Sequence, residues 1–213
     1  MKKLKMKPHK TSGLLITFCG LDGCGKTTMI SQLMDELNEN HTIFLTKQPT
    51  DFVRSSQIFR TYMDSPVHDQ YDYRSLSLLA ASDRLQHINK VILPQLKEGN
   101  IVLSDRYFYS CLANLRARGY KRDRWIYDIA KSVIAPDIAF FFDLPVEMAV
   151  SRVRSRAAEK NRYIDMELQY RLKDEYRTIC RENGGILLST DKSVDETFRE
   201  MMDFIIRKVD GKQ

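Results

Sequence analysis

Residues 14–28 read LLITFCGLDGCGKTT, and this stretch decides the fold class. It joins a short apolar run to a glycine-rich segment, and a stripe of apolar residues at helical spacing follows it. The stripe consists of Met29, Ile30, Leu33, Met34 and Leu37. The pattern predicts a buried strand, a tight loop and an amphipathic helix in succession, and the loop fits GxxxxGK[ST] in the context that this motif requires.

The glycines of this loop let the backbone curl so that several N–H groups point inward at a phosphate. The first turn of the next helix adds the positive end of its dipole at the same place. Lys26 is expected to reach the β- and γ-phosphates of a nucleotide, and the Thr27 hydroxyl is expected to bind Mg²⁺. The stretch therefore predicts a P-loop for a nucleoside triphosphate.

Four further apolar runs are predicted as strands: 42–46, 101–104, 138–143 and 186–189. Near-continuous apolar runs are typical of strands buried on both faces of a parallel sheet. Segments with apolar residues at helical spacing alternate with these strands. One of these predicted helices ends before Gly99, a plausible C-cap. The last begins with Ser193 and Glu196, which have the spacing of a capping box. We expect an α/β fold, a P-loop NTPase with three α/β/α layers around a five-stranded parallel sheet.

Length and composition favour one globular domain. The chain has 213 residues, of which 43% are hydrophobic and 29% charged, and these values exclude a disordered or low-complexity protein. Lys and Arg number 34 against 28 Asp and Glu, and the net charge of +6 suits either nucleic acid or a phosphate-rich small substrate. We expect a solvated basic N-terminal tail over 1–12 and a single domain over 13–210.

The cysteines predict a reducing compartment. They show no paired CxxC spacing, and no apolar run is long enough for a secretory signal or a membrane span. The four cysteines are Cys19, Cys24, Cys111 and Cys180. We therefore expect reduced thiols, a cytoplasmic protein and no membrane partner.

A second motif, Asp105-Arg106-Tyr107, directly follows the apolar run 101–104. Ligands of open α/β sheets bind at the carboxyl ends of the strands. Asp105 can hold Mg²⁺ directly or through water, and Arg106 can bind a phosphate with two hydrogen bonds. The alternative is a structural Asp–Arg pair at the strand end, which the neighbouring P-loop makes the weaker interpretation.

Residues 152–165 depart from the apolar patterning, because they carry several charged side chains and no continuous apolar stripe. One interpretation is a solvated helix end. The other is a mobile basic lid, which fits a site that binds phosphates.

Taken together, these residues resemble the thymidylate kinase family from about Leu14 to Ile206. The anchors are the P-loop, 78-LLAASDR-84, 105-DRY-107, and 143-DLPVE-147 leading into the arginine-rich segment. The resemblance implies a dimeric P-loop kinase that uses ATP and Mg²⁺ and transfers the γ-phosphoryl group to the 5′-phosphate of dTMP.

The resemblance also implies roles for single residues. ATP would be held by Gly20, Leu21, Asp22, Gly23, Cys24, Gly25, Lys26, Thr27, Thr28 and Arg152. The acceptor nucleotide would be held by Asp22, Arg60, Arg84, Arg106, Cys111 and Asn114. The metal would lie between Thr27 and Asp105. Catalysis would rest on Lys26, Asp105, Arg106 and Arg156. Because Gly23 is uncharged where some members carry a basic residue, the lid would supply that charge through Arg156, assisted by Arg154 and Arg162.

The departures from the family lie where base and sugar are read. Ala80 stands where the family has a Phe that stacks on thymine, and Asn114 where it has a Tyr that crowds the 2′ position. A T-[RK]-E-P-G-G stretch becomes TKQPTD at 46–51. Other aromatic side chains could refill the pocket, and Phe108, Tyr109 and Tyr163 are the candidates.

Two alternatives stay open at this point. One is a P-loop kinase for another nucleotide or a phosphorylated metabolite. The other is a non-catalytic NTP-binding module that binds nucleic acid through its basic face. Nucleic acid is not expected as a partner, because no RNP, helix-turn-helix or zinc spacing is present.

Overall fold

The five predicted strands form one parallel sheet in the order β2-β3-β1-β4-β5. The protein is described by a computed structural model that covers residues 3–39 and 41–210. The strands are β1 (Leu14–Gly20), β2 (Ile43–Lys47), β3 (Ile101–Asp105), β4 (Ile138–Asp143) and β5 (Ile186–Ser189). Helices flank the sheet, so the predicted three-layer α/β architecture of a P-loop NTPase is confirmed.

The helices have the following bounds: α1 (Lys26–Leu37), α2 (Asp51–Arg54), α3 (Gln57–Asp64), α4 (Tyr73–His87), α5 (Leu93–Lys97), α6 (Phe108–Ala117), α7 (Trp125–Ala130), α8 (Val146–Arg154), α9 (Met166–Asn183) and α10 (Val194–Asp210). A π-helical turn, Ile88–Ile92, joins α4 to α5, and a 3₁₀ turn, Ala157–Glu159, follows α8. Helix α6 packs against α9, and α1 packs against α10.

Two predicted helix boundaries are confirmed by their backbone geometry. Gly99, just after α5, has a φ of +86°, in the left-handed region that ends helices at glycine. At the start of α10, the Ser193 N–H donates to Glu196 Oε2 at 3.1 Å, and the Glu196 N–H donates to Ser193 Oγ at 3.2 Å. These reciprocal bonds form the predicted capping box.

Burial separates the central strands from the edge strands. Every residue of β1 is buried, whereas β2 is half-buried or exposed throughout. Leu45 in β2 and Leu187 in β5 are each 45% exposed. The expectation that every run is buried on both faces is therefore wrong for these two strands, which have a neighbouring strand on one side only.

The N-terminal segment packs against the domain. Residues 1 and 2 of the expected tail lie outside the described residues, but Leu4 is 3% exposed and its N–H donates to Asn183 Oδ1 at 2.9 Å. Lys7 forms an isolated parallel β-bridge with Ile134. The expectation of a solvated tail is wrong for this stretch, because burial of Leu4 and these hydrogen bonds attach it to the domain. The lysines that the structure describes here stay exposed: Lys3, Lys5, Lys7 and Lys10.

The four cysteines are free, as predicted, and the structure buries all of them. No helix within 3–39 and 41–210 combines the length and the apolar character needed to cross a membrane.

Candidate active site

The loop after β1 has the curled backbone that its glycines predict. Gly23 and Gly25 have φ angles of +81° and +92°, which glycine adopts without strain. A Cβ atom at Gly23 would lie 2.1 Å from the Ala149 carbonyl oxygen. No side chain fits there, so a basic group over the loop has to come from another segment.

Lys26 turns its ammonium group back onto this loop. The residue is 6% exposed, and Nζ donates to the carbonyl oxygens of Leu21 at 2.6 Å and Gly20 at 3.3 Å. The loop therefore holds the positive charge at the position where its N–H groups and the start of α1 converge. A phosphate group that enters the loop meets a preorganised cation.

A cavity of about 280 Å³, called here the smaller cavity, opens over the loop. Among the residues predicted to hold ATP, the following line it: Asp22, Gly23, Gly25, Lys26, Thr27, Thr28 and Arg152. Gly20 and Cys24 are buried outside its lining, and Leu21 lines a second cavity instead. Arg152 is exposed and lines it as well, and its Nη2 donates to the Thr190 carbonyl oxygen at 3.4 Å.

Asp105, at the carboxyl end of β3, also lines the smaller cavity. Its Oδ2 lies 3.2 Å from Nζ of Lys47, and its buried Oδ1 has no hydrogen-bond partner in the described part of the chain. Lys47 was not among the predicted site residues. It could have been found, because it ends β2, and neighbouring parallel strands end at the same edge of the sheet.

Asp22 is the centre of a charge cluster. Arg106 Nη2 donates to Oδ1, and Arg162 Nη2 donates to Oδ2 at 3.1 Å. Burial alone would raise the pKa of the Asp22 carboxyl, but Arg106 and the other cations around it outweigh burial and hold that pKa well below its usual range. Asp22 is therefore ionised at neutral pH and joins the P-loop to the lid segment.

Arg106 has a backbone conformation that is rare for a residue with a side chain. Its φ is +68°, and within the described ranges it is the non-glycine residue with a positive φ. The guanidinium pairs with Asp22 and also donates to the Gly20 carbonyl oxygen at 3.1 Å and the Tyr176 hydroxyl at 3.0 Å. Among the described residues, the hydrogen bonds of this guanidinium go to these groups and not to Asp105. The alternative interpretation, a structural ion pair between Asp105 and Arg106, therefore does not describe the site.

The second, larger cavity has a volume of about 670 Å³. It contains all the residues predicted to hold the acceptor: Asp22, Arg60, Arg84, Arg106, Cys111 and Asn114. They come from the P-loop, α3, α4, the end of β3 and α6. Arg84 is 3% exposed, whereas Arg60 is at the open side, where Nη2 lies 2.6 Å from Asp64 Oδ2.

The positions that depart from the family pattern also line the larger cavity. Ala80 offers a small buried surface, and both amide atoms of Asn114 are used, because Nδ2 donates to the Ser110 carbonyl oxygen at 2.9 Å and Oδ1 accepts from Arg118 at 2.8 Å. Asn114 therefore opens space without presenting a free amide.

Aromatic side chains do reach this cavity, although mostly not the predicted ones. Phe108 and Tyr109 are buried outside its lining, and Tyr163 lines it. The structure adds Phe59, Tyr62, Tyr73 and Tyr176. No sequence pattern points to these four, because their approach to the cavity depends on how α3, α4 and α9 pack.

The segment predicted to be a lid lines one side of the larger cavity. Arg162 reaches Asp22 and Glu159, and Arg156 lines both cavities. The Arg156 side chain forms no hydrogen bond or ion pair with any residue that the structure describes. Arg154 is exposed and lines neither cavity.

The two cavities meet at one point. The residues that line both are Asp22, Lys47, Arg106 and Arg156. Three cations and one ionised carboxylate thus lie between the P-loop cavity and the larger cavity.

Comparison with known proteins gives the family. A family sequence model described as thymidylate kinase matches residues 18–201. The chain belongs to the thymidylate kinase family. Membership of this family confirms the predicted enzyme class, an ATP-dependent phosphotransferase that binds nucleotides.

Individual members of the thymidylate kinase family are similar over most of their length. A probable thymidylate kinase of Thermococcus kodakarensis is 36% identical over 169 residues, 76% of this chain and 82% of that protein. One of Pyrococcus abyssi is 35% identical over 203 residues, 93% of this chain and 98% of that protein. A thymidylate kinase of a Geobacillus strain is 30% identical over 209 residues, 94% and 99% of the two chains.

Proposed function

We propose that the protein transfers the γ-phosphoryl group of ATP to the 5′-phosphate of dTMP and releases dTDP and ADP. The observation that carries this proposal is the junction of the two cavities, where Lys47, Arg106 and Arg156 lie beside Asp22. A kinase needs its donor and acceptor phosphates in line and shielded in a positive field at one point. The family membership and the names of its relatives support dTMP as the acceptor.

The donor binds in the smaller cavity. The P-loop N–H groups and Lys26 hold the β- and γ-phosphates, and Arg152 lies at the rim. Because the loop is preorganised and Lys26 is buried, little rearrangement is needed when ATP enters.

The acceptor binds in the larger cavity. Arg84 donates hydrogen bonds to the base, Asp22 accepts one from the sugar 3′-hydroxyl, and Arg60 and Arg106 hold the 5′-phosphate. An acceptor phosphate oxygen attacks the γ-phosphorus in line, and the bond from that phosphorus to the β–γ bridging oxygen breaks as ADP leaves. Arg106 and Arg156 neutralise the charge of the transferring group.

The residues present fit a magnesium ion. Asp105 Oδ1 is buried and has no partner in the described chain, and the Thr27 hydroxyl lines the same cavity. Thr27 and Asp105 would hold the ion. When bound, Mg²⁺ supplies positive charge to the donor phosphates.

The test is an acceptor screen: ATP and Mg²⁺ with ribo- and deoxyribonucleoside monophosphates, measured as ADP formed. We expect dTMP to give the highest kcat/KM. No ADP formation with any acceptor, together with salt-dependent DNA binding, would contradict the proposal and support a nucleic-acid module.

Two residues favour a second candidate function, phosphoryl transfer to an acceptor other than dTMP. Ala80 and Asn114 leave the larger cavity roomier than the family pattern predicts, which suits a different nucleotide or a phosphorylated metabolite. The same screen decides between them, because another monophosphate would then exceed dTMP in kcat/KM.

The assembly and location belong to the same proposal. The protein forms a homodimer and acts in the cytoplasm. Sedimentation at micromolar concentration should give a mass of two chains, and a monomer that is fully active would contradict the dimer.

A further inference from the structure

The guanidinium of Arg106 keeps donors free for a ligand. A guanidinium carries five N–H groups, and this one makes three hydrogen bonds: Nη1 donates to the Gly20 carbonyl oxygen and the Tyr176 hydroxyl, and Nη2 donates to Asp22. Nε and the second N–H of Nη2 have no partner among the described residues. The Arg106 side chain is 17% exposed where it lines both cavities. Three acceptors therefore decide how the remaining donors face a phosphate.

Two of these acceptors belong to the P-loop and are shared with other cations. The Gly20 carbonyl oxygen also accepts from Lys26 Nζ at 3.3 Å, and Asp22 also accepts from Arg162 at 3.1 Å. In the proposed function, Lys26 binds the donor phosphates and Asp22 accepts from the sugar hydroxyl. Ligands that enter the two cavities thus compete for the groups that hold Arg106 on this side.

The third acceptor comes from another part of the fold. Tyr176 is on α9, is 4% exposed and accepts from Arg106 Nη1 at 3.0 Å. Its own proton is donated to Ser110 Oγ on α6, at 3.1 Å, and α6 packs against α9. Burial raises the pKa of Tyr176 to about 12, although Arg106 opposes this, so the hydroxyl keeps its proton at neutral pH. The Tyr176 oxygen is therefore fixed as an acceptor, and within the described residues Arg106 is the cation that donates to it.

We propose that Tyr176 is a positioning residue for phosphoryl transfer, whose hydroxyl holds the Arg106 guanidinium in the orientation that binds the 5′-phosphate of the acceptor. The inference rests on the proposed function, because it takes Arg106 as a residue that binds this phosphate. Without the hydroxyl, one N–H of Nη1 loses its acceptor, and the shared P-loop groups alone orient the guanidinium. A contact through two parallel N–H groups requires a fixed plane, so binding of the phosphate weakens when that plane can turn.

The test measures the dissociation constants of dTMP, thymidine and ATP by calorimetry in the wild type and in Tyr176→Phe, which removes the hydroxyl and keeps the ring. Thymidine lacks the 5′-phosphate of dTMP, so the ratio of their two constants reports the phosphate contact. We expect the constant for dTMP to rise about tenfold, and those for thymidine and ATP to stay within about twofold. Where thymidine binds too weakly for calorimetry, its inhibition constant against dTMP turnover replaces it.

A double-mutant cycle shows whether Tyr176 acts through Arg106. In an Arg106→Met background, Tyr176→Phe should change the dTMP constant by less than about twofold, because the group that it positions is gone. A further tenfold loss in that background, about as large as the first, would show that Tyr176 contacts the nucleotide itself and would overturn the positioning role.

A second variant keeps the test decisive if thermal unfolding shows that Tyr176→Phe is not folded. Ser110→Ala removes the oxygen that receives the Tyr176 proton, so the hydroxyl is free to turn. The thymidine-to-dTMP ratio of dissociation constants should fall in this variant too, by a smaller factor than in Tyr176→Phe.

The matched control is Tyr127→Phe. The Tyr127 hydroxyl likewise accepts from a guanidinium, that of Arg116, whose Nε lies 3.2 Å away, but neither residue lines either cavity. This variant should unfold at a lower temperature than the wild type, with all three dissociation constants unchanged.

Two results would overturn the role of Tyr176 alone. One is an unchanged dTMP constant in both Tyr176→Phe and Ser110→Ala. The other is an equal weakening of dTMP, thymidine and ATP, which would mean that the hydroxyl only stabilises the fold. No binding or turnover of dTMP by the wild type would instead overturn the proposed function.

Discussion

The smaller and larger cavities are built in different ways. The smaller one is built around one continuous stretch, the P-loop and the first turn of α1, whose backbone supplies binding groups, and side chains from other elements complete its lining. The larger one is formed by side chains from α3, α4, α6, α9 and the lid segment. A backbone cradle binds any triphosphate of the right shape, whereas a cavity lined by side chains changes its ligand when single residues change. The difference explains why the donor chemistry of this chain can be assigned more directly than its acceptor.

The largest effect should come from the P-loop. Lys26→Ala should lower kcat by 10² to 10³ or more, on the order of 3–4 kcal/mol, because it removes one preorganised positive group from the transferring phosphate. Steady-state kinetics with ATP and dTMP measures it, with circular dichroism as the check on folding. Lys192→Ala is the matched control, because Lys192 lines the same cavity but is bound to Glu200. A folded Lys26→Ala enzyme with half the wild-type kcat would contradict the P-loop assignment.

The junction between the cavities should give the next largest effect. Arg156→Ala should lower kcat on the order of 10²-fold with little change in ATP affinity, because the arginine acts on charge that develops during transfer. Arg154→Ala, at an exposed position that lines neither cavity, should change kcat by less than about twofold.

Lysine should not fully replace Arg156, since an ammonium group lacks the planar fork that contacts two phosphate oxygens. A variant that loses ATP affinity at unchanged kcat would show that Arg156 acts only in the ground state.

The larger cavity should show a moderate effect on substrate choice. Because Ala80 and Asn114 leave it open, kcat/KM for dTMP and UMP should differ by no more than about tenfold, roughly 1.4 kcal/mol. Asn114→Tyr should restore a preference for deoxyribose, measured by comparing dUMP with UMP. A wild-type preference for dTMP above about a thousandfold would mean that aromatic residues such as Tyr163 refill the space.

The smallest effect should be a pH dependence of the free energy of unfolding, caused by His87 beside the larger cavity. Burial lowers the pKa of folded His87 below the ordinary value of 6.5. As the pH falls below that value, the unfolded chain binds the proton first, so the free energy of unfolding decreases until the pH passes the folded pKa. Urea unfolding at pH 7.5 and 5.5 should show a smaller decrease for His87→Leu than for the wild type. An equal decrease in both proteins would remove His87 as the cause.

Local pattern predicted much of the fold. The strands 138–143 and 186–189 have the predicted bounds, and the capping box at Ser193 is present, because each depends on residues close in sequence. The solvation of the N-terminal tail and the burial of the two edge strands were predicted wrongly. Apolar residues such as Leu4 and Leu45 are buried or exposed according to what packs against them, which a single segment does not contain.

The sequence by itself determined the P-loop and the acid that ends β3, since their place at a strand end follows from contiguous residues. The tertiary structure decided which distant side chains meet. It placed Lys47 against Asp105 and Arg162 against Asp22. The reason is physical: parallel strands far apart in the chain end at one edge of the sheet, and only the packing of helices around that edge sets the distances between side chains.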